Sequence, residues 1–157
     1  MKLVAVIGTN GKTTTSHLIY NVLKQSNVKC GLIGTLGTYY LDKYIEPTLT
    51  TPDPLELHKT LYEMFNLGIK VVVMEVSAHA IYLDKVKNID FYCAVFTNFS
   101  QDHLDFFSNM ENYKNAKLKF FKENKGVTFR AVTFDNSINN VVEIVYENEK
   151  FDVKVIR

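Results

Sequence analysis

Arginine, cysteine and proline are scarce in this sequence, and long apolar runs are missing. Of the 18 basic residues only Arg130 and Arg157 are arginines, and 17 acidic residues offset the basic set. Neither arginine sits in a basic cluster. That balance gives no electrostatic argument for nucleic acid or an anionic membrane surface, so no nucleic-acid partner is expected. The longest apolar runs, 71–74 and 93–96, are strand-sized and too short to span a bilayer, which predicts no membrane insertion. Residues 1–7 lack the length and cleavage site of a secretory signal and read directly as a strand. Cys30 and Cys93 lie far apart, which argues against a disulfide framework and predicts two buried free thiols. No Cys/His spacing suggests zinc, and no Ser-His-Asp order can be argued from spacing. The expectation from these absences is a cytoplasmic protein.

What is present is enough for one domain: 157 residues, 46% hydrophobic and 13% aromatic. Residues 2–7 form a β-rich run that stops at Gly8. A helical pattern follows Gly8-Thr9-Asn10-Gly11-Lys12-Thr13, with Leu18, Ile19, Val22 and Leu23 as its apolar face and an end near Ser26 and Asn27. Residues 31–33 are a short strand. Residues 34–54 hold Gly, Thr and all three prolines and read as a structured loop. A second helix is expected over 55–67, with Leu57, Leu61, Met64 and Phe65 facing inward and Gly68 as its C-cap. Residues 70–74 have the continuous apolar character of a buried parallel strand. A short helix or turn at 80–87, a buried strand at 92–96 and a helix at 110–122 follow. Residues 127–134, 141–146 and 151–156 are β-type, with a hairpin turn at 147–150. Alternating strands and helices predict an α/β fold, a mostly parallel sheet flanked by helices with a C-terminal β extension.

The turn after the first strand carries the clearest chemistry. Glycines let backbone N–H groups converge on anionic oxygens, and the following helix adds its partial positive end. Lys12 can reach the β and γ phosphates of a nucleotide, and Thr13 supplies a hydroxyl for Mg²⁺. The usual eight-residue pattern wants Gly at position 6, where Val6 stands. The bland alternative is a structural glycine turn.

Glu75 follows a buried strand at its C-terminal end, where α/β sheets place ligands. It could hold Mg²⁺ or position a water; otherwise it is a cap or surface residue. Ser77 and His79 follow in a turn able to face the same place. Asn98, Gln101, Asp102, His103 and Asp105 form a second polar cluster beyond the strand ending at Phe96. His103 reads as a metal ligand or phosphate contact, or else as a capping or packed residue. Lys117, among Lys114, Lys119, Lys122 and Lys125, reads by composition as a solvated lysine.

Five blocks in register carry a resemblance. They are Gly8-Thr9-Asn10-Gly11-Lys12-Thr13-Thr14-Thr15, Thr50-Thr51-Pro52-Asp53, Met74-Glu75-Val76-Ser77-Ala78-His79-Ala80, the run from Phe96 through Asp102-His103-Leu104-Asp105, and Met110-Glu111-Asn112-Tyr113 with Ala116-Lys117. Together they resemble the central ATPase domain of the Mur ligases over roughly residues 3–123. Within that family the resemblance is to the member that adds the third residue of the peptidoglycan stem peptide. The folate polyglutamate ligases share the phosphate loop, but the Thr-Thr-Pro-Asp and Asp-His-Leu-Asp blocks favour the Mur enzymes.

The resemblance implies a P-loop NTPase-like fold and an ATP-dependent carboxylate–amine ligase acting on UDP-N-acetylmuramoyl-dipeptide and an amino acid. It implies that Gly8, Thr9, Asn10, Gly11, Lys12, Thr13, Thr14 and Asn98 surround ATP. Thr13 and Glu75 would hold a first Mg²⁺, and Glu75, His103 and Lys117 a second. Lys117 would be carbamylated (N6-carboxylated), turning a cation into a ligand. Lys12, Glu75, His103 and Lys117 would be the catalytic set. Thr50, Thr51, Asp53, Ser77 and Lys85 would lie along the UDP-muramoyl-peptide. No protein nucleophile is needed.

Against the family pattern, Ala78 replaces a usual serine and Lys85 an arginine, keeping the charge but losing the bidentate fork. Gln101 replaces a frequent arginine and Phe107 a frequent polar residue. The resemblance further implies a partial central domain over 1–157: a motif core at 1–123, an internal deletion between about 124 and 130, and a β-rich extension at 127–157. The family's outer domains would then have to come from a separate chain or neighbouring reading frame. Two alternatives stand beside an active ligase: a nucleotide-binding remnant or regulatory module, and a fragment like the folylpolyglutamate synthetases.

Overall fold

The computed structural model describes residues 1–98, 119–120 and 124 with their side chains, and the backbone of 129–135, 140–147 and 150–156. The chain runs β1 (Lys2–Ile7), α1 (Lys12–Gln25), β2 (Cys30–Gly34), β3 (Gly37–Tyr40), β4 (Lys43–Ile45), α2 (Pro54–Asn66), β5 (Val71–Glu75), α3 (Ala78–Tyr82), β6 (Cys93–Phe96), β7 (Phe129–Asp135), β8 (Asn140–Glu147) and β9 (Lys150–Ile156). One sheet has the order β4-β3-β2-β5-β1-β6-β7-β8-β9. Its centre is parallel: β5 and β6 flank β1, and β2 lies beyond β5. β7 joins β6 in parallel, and antiparallel strands extend both sides.

The period-two alternation of the central strands divides the core between two faces. Leu3, Ala5 and Ile7 of β1, with Val72 and Met74 of β5, meet Leu57, Leu61 and Met64 of α2 and Ile81 of α3. Val4, Val6 and Val73 point the other way, to Tyr20, Ile19 and Leu23 of α1. Helices therefore cover both faces, and the α/β expectation holds. Fully burying one Leu or Met of this kind contributes about 1.5–3 kcal/mol.

The helices α1, α2 and α3 stop in the same way. The residue after the C-cap has positive φ: Asn27 (57°), Gly68 (76°) and Asp84 (57°). The next N–H reaches back a full turn, from Val28 to Leu23 O at 3.0 Å, Ile69 to Met64 O at 3.0 Å and Lys85 to Ala80 O at 2.9 Å. This Schellman geometry satisfies carbonyls that the helix leaves orphaned. It also aims the chain that follows, which matters at Lys85.

Four sequence expectations need correction. Leu18 and Val22 are 61% and 63% exposed, so the inner face of α1 is Ser16, Ile19, Tyr20 and Leu23. Two apolar pairs at helical spacing compete there, and the winner includes a serine. Phe65 is 60% exposed, leaving Leu57, Leu61 and Met64 as the buried face of α2. The stretch 34–54 is not all loop: Thr38-Tyr39-Tyr40 and Tyr44-Ile45 supply β-type residues, and β3 and β4 pair across Leu41 and Asp42. The prolines lie past that hairpin. Finally, Cys30 is buried but Cys93 only partly so; burial raises the pKa of both thiols, which suits unreactive packing residues. The helix read at 110–122 lies outside the described residues except for a helical 119–120. No helix among the described residues is long and apolar enough to cross a membrane.

Candidate functional site

The C-terminal ends of β1, β2, β5 and β6 converge at one edge of the sheet, and four segments meet there. The first is the turn between β1 and α1. Gly8 has φ 148° and Gly11 φ 79°, both unfavourable for a side chain. Gly8 is also enclosed: a Cβ there would sit 1.9 Å from Thr97 Oγ1. Gly11 is the N-cap of α1, and a Cβ on it would meet nothing within 4 Å. Lys12 folds back over the turn, its Nζ donating to Gly8 O at 3.0 Å and Thr9 O at 2.8 Å. Thr14 is exposed on the first turn of α1.

The end of β6 braces this turn. Asn98 accepts the Asn10 N–H at 2.9 Å through Oδ1 and donates to Asn10 O at 2.9 Å through Nδ2. Thr97 Oγ1 donates to the same carbonyl at 2.6 Å, and the Thr9 N–H reaches Asn98 O at 3.1 Å. Asn98, read from sequence as near a nucleotide, thus shapes the turn itself. Thr97 is a supporting residue that sequence reasoning missed.

The third segment is the end of β5. Glu75 is fully buried. One carboxylate oxygen accepts the Thr13 hydroxyl at 2.9 Å and the Thr35 hydroxyl at 3.1 Å. The other accepts the Thr35 N–H at 3.1 Å, and the Ser16 hydroxyl, which donates to Thr13 O at 3.0 Å, lies 3.5 Å from it. No basic side chain among the described residues pairs with it. A buried carboxylate normally demands a cation or a full set of donors; here neutral donors hold it. Room for it exists because residue 34 is glycine, where a Cβ would lie 2.2 Å from Glu75 Oε1.

Gly34, Thr35 and Ser16 were also missed from sequence. A signal was available, since Ile33-Gly34-Thr35 repeats Ile7-Gly8-Thr9 at the end of a second parallel strand, with β5 between the two.

The fourth segment is 50–53. Thr51, 2% exposed, donates to Glu75 O at 3.0 Å and accepts the Ser77 N–H at 3.1 Å, fastening this loop to the end of β5. Thr50 Oγ1 lies 3.0 Å from Thr35 Oγ1. Ser77 caps α3 by accepting the Ala80 N–H at 3.1 Å. Lys85, placed by the Schellman turn after α3, pairs with Asp53 at 2.6 Å. Of the five residues read as lining a substrate, Thr50, Thr51 and Ser77 are thus linked to Glu75, and Asp53 and Lys85 to each other. His103 and Lys117 lie outside the described residues, as do Gln101, Asp102, Asp105 and Phe107.

The donor set suits a hard divalent cation next to a phosphate. Thr13 commits its proton to Glu75, leaving its oxygen lone pairs for a metal, and a buried carboxylate with no cationic partner among the described residues stands behind it. Mg²⁺ commonly takes one or two protein oxygens and completes its shell with phosphate and water. No group of three or more His, Cys, Asp or Glu gathers anywhere among the described residues, here included.

Residues 6–156 match the Mur ligase middle domain. The UDP-N-acetylmuramoyl-L-alanyl-D-glutamate–2,6-diaminopimelate ligase of Clostridium tetani is 44% identical over 144 residues, covering 92% of this chain and 27% of that protein. Ligase 1 of the same name from Clostridium acetobutylicum is 48% identical over 125 residues, covering 80% of this chain and 26% of that one. The chain thus spans about a quarter of the length of these curated relatives. Among solved structures, a diaminopimelate ligase of that name superposes with a TM-score of 0.75 at 23% identity, over 98% of this chain and 38% of its own. The MurF ligase of Thermotoga maritima, solved with ADP, superposes at 0.57 and 20% identity, over 98% of this chain and 40% of its own.

Proposed function

Since the chain belongs to the Mur ligase middle-domain family, we propose that it is the ATP-binding, phosphoryl-handling unit of a carboxylate–amine ligase of peptidoglycan precursor synthesis. The observation that supports this most is the Thr13–Glu75 hydrogen bond, which links the glycine turn to a buried carboxylate. The reaction proposed for the whole protein adds diaminopimelate or a similar diamino acid to UDP-N-acetylmuramoyl-dipeptide. Its setting would be the cytoplasm.

The chemistry must make a poor electrophile reactive. The dipeptide's terminal carboxylate oxygen bonds to the γ-phosphorus of ATP, the bond to the β-phosphate bridge breaks, and ADP leaves. The amine of the incoming amino acid then attacks the acyl carbon, loses a proton, and phosphate departs with the C–O electron pair. In this reading the N–H groups of residues 11–13 cradle phosphate oxygens, and Lys12 exchanges its bonds to Gly8 and Thr9 carbonyls for the transferring phosphoryl group. Thr13 and Glu75 would hold Mg²⁺, which supplies neutralisation of phosphate charge when bound. Thr50, Asp53, Ser77 and Lys85 would orient the peptide end of the substrate, with Thr51 fastening their loop. His103 and a carbamylated Lys117 are proposed from the family resemblance alone.

The test has two stages. The purified chain should bind ATP or ADP in a Mg²⁺-dependent way; no binding would overturn the nucleotide role. Phosphate release from ATP on adding UDP-N-acetylmuramoyl-dipeptide and diaminopimelate or lysine then asks whether this chain alone turns over. Release that depends on both substrates supports ligase chemistry here. Nucleotide binding without release supports a binding module that needs further domains.

A further inference from the structure

We propose that Thr35 is the positioning residue of the Glu75 carboxylate, and that it sets the hydrogen-bonding direction of Thr50. The inference rests on the reading of Glu75 as a metal-side carboxylate. Thr35 holds both carboxylate oxygens at once, with its N–H on one and its hydroxyl on the other, each at 3.1 Å. No other residue among those described does this with comparably short bonds, since Ser16 and Thr13 each touch one oxygen. The grip comes from the end of β2, and Glu75 ends the adjacent parallel strand β5. Gly34 lets the carboxylate lie against the β2 backbone.

A threonine hydroxyl has one proton, and an ionised carboxylate only accepts. The Thr35 proton is therefore given to Glu75. In the 3.0 Å contact between the hydroxyls of Thr35 and Thr50, Thr50 must then be the donor. Its remaining capacity is lone pairs only. A ligand at Thr50 is thus met as a hydrogen-bond donor, such as a peptide N–H or a hydroxyl, and not as a carboxylate or phosphate oxygen. Thr35 in this way ties the metal side of the site to the side facing the peptide.

The experiment measures ADP affinity of the 157-residue chain by calorimetry, in EDTA and across a Mg²⁺ titration. Thr35→Val should leave affinity in EDTA within about twofold of wild type. It should raise the Mg²⁺ concentration needed for half-maximal enhancement by roughly tenfold or more, the usual scale for losing a residue that orients a metal ligand. Thr35→Ser, which keeps the hydroxyl, should restore most of that loss. Thr35→Ala carries the same expectation if the valine variant does not fold. A Thr35→Val or Thr35→Ala titration that overlays wild type overturns the proposal and leaves the functional reading standing. Failure of wild type to bind ADP with Mg²⁺ overturns that reading, and the proposal with it.

Discussion

The two halves of the candidate site end adjacent parallel strands, yet opposite means hold them. At the end of β1 the 8–13 turn is shaped mainly by backbone: glycines in conformations closed to side chains, a lysine on main-chain carbonyls, and one asparagine bonding a residue's N–H and C=O together. At the end of β5 Glu75 is shaped by side-chain hydroxyls drawn from α1 and the segment after β2. Backbone restraint tolerates little change at a few glycines. Hydroxyl restraint is spread over residues remote in sequence and can be altered piece by piece.

Substitutions can break or sharpen that contrast. Gly8→Ala should have the largest effect, because its Cβ would overlap Thr97 at an unfavourable φ. A cost of about 3 kcal/mol or more in urea unfolding is expected, with loss of nucleotide binding. Glu75→Gln keeps the shape but not the charge. It should abolish the Mg²⁺-dependent gain in ADP affinity while leaving affinity in EDTA within about twofold, the Lys12 contact to phosphate being neutral to this change. If Mg²⁺ still enhances binding in that variant, the carboxylate half is not a metal site.

Gly11→Ala separates strain from crowding within the turn. Its φ is unfavourable but its surroundings are open, so about 1–2 kcal/mol of destabilisation is expected. A cost equal to that of Gly8→Ala would show that Thr97 crowding matters little. Lys85→Ala should be the mildest, at about 0.5 kcal/mol of stability, because Asp53 is 66% exposed in their ion pair. Any larger effect of that variant should appear in substrate affinity and not in unfolding.

The same contrast explains what could be read in advance. The 8–13 turn was legible because its physics is local: a strand, glycines, then Lys-Thr opening a helix. Glu75 was legible by its place at a strand end, and Thr50, Thr51, Asp53, Ser77 and Lys85 through the family resemblance. Thr35, Gly34, Ser16 and Thr97 were not, because each acts across a sequence gap that only strand pairing closes. The α1 face was misread for a related reason. Leu18 and Val22 are as apolar as Ile19 and Leu23, but only the face with Ile19, Tyr20 and Leu23 meets the buried side chains of β1, β2 and β5. The roles given to His103 and Lys117, and the deletion read near 124–130, fall on or beside residues outside those described.

By itself the sequence determined the strand and helix alternation, the phosphate-type turn and the family, since period, glycine placement and motif spacing are properties of neighbours along the chain. Only the tertiary structure decided which hydroxyls grip Glu75, which way Thr50 donates, and that Asn98 braces the turn. Those outcomes depend on the order β2-β5-β1-β6, which sets four strand ends side by side. A hydrogen bond of about 3 Å is a matter of position in space, and distance along the chain carries almost no information about it.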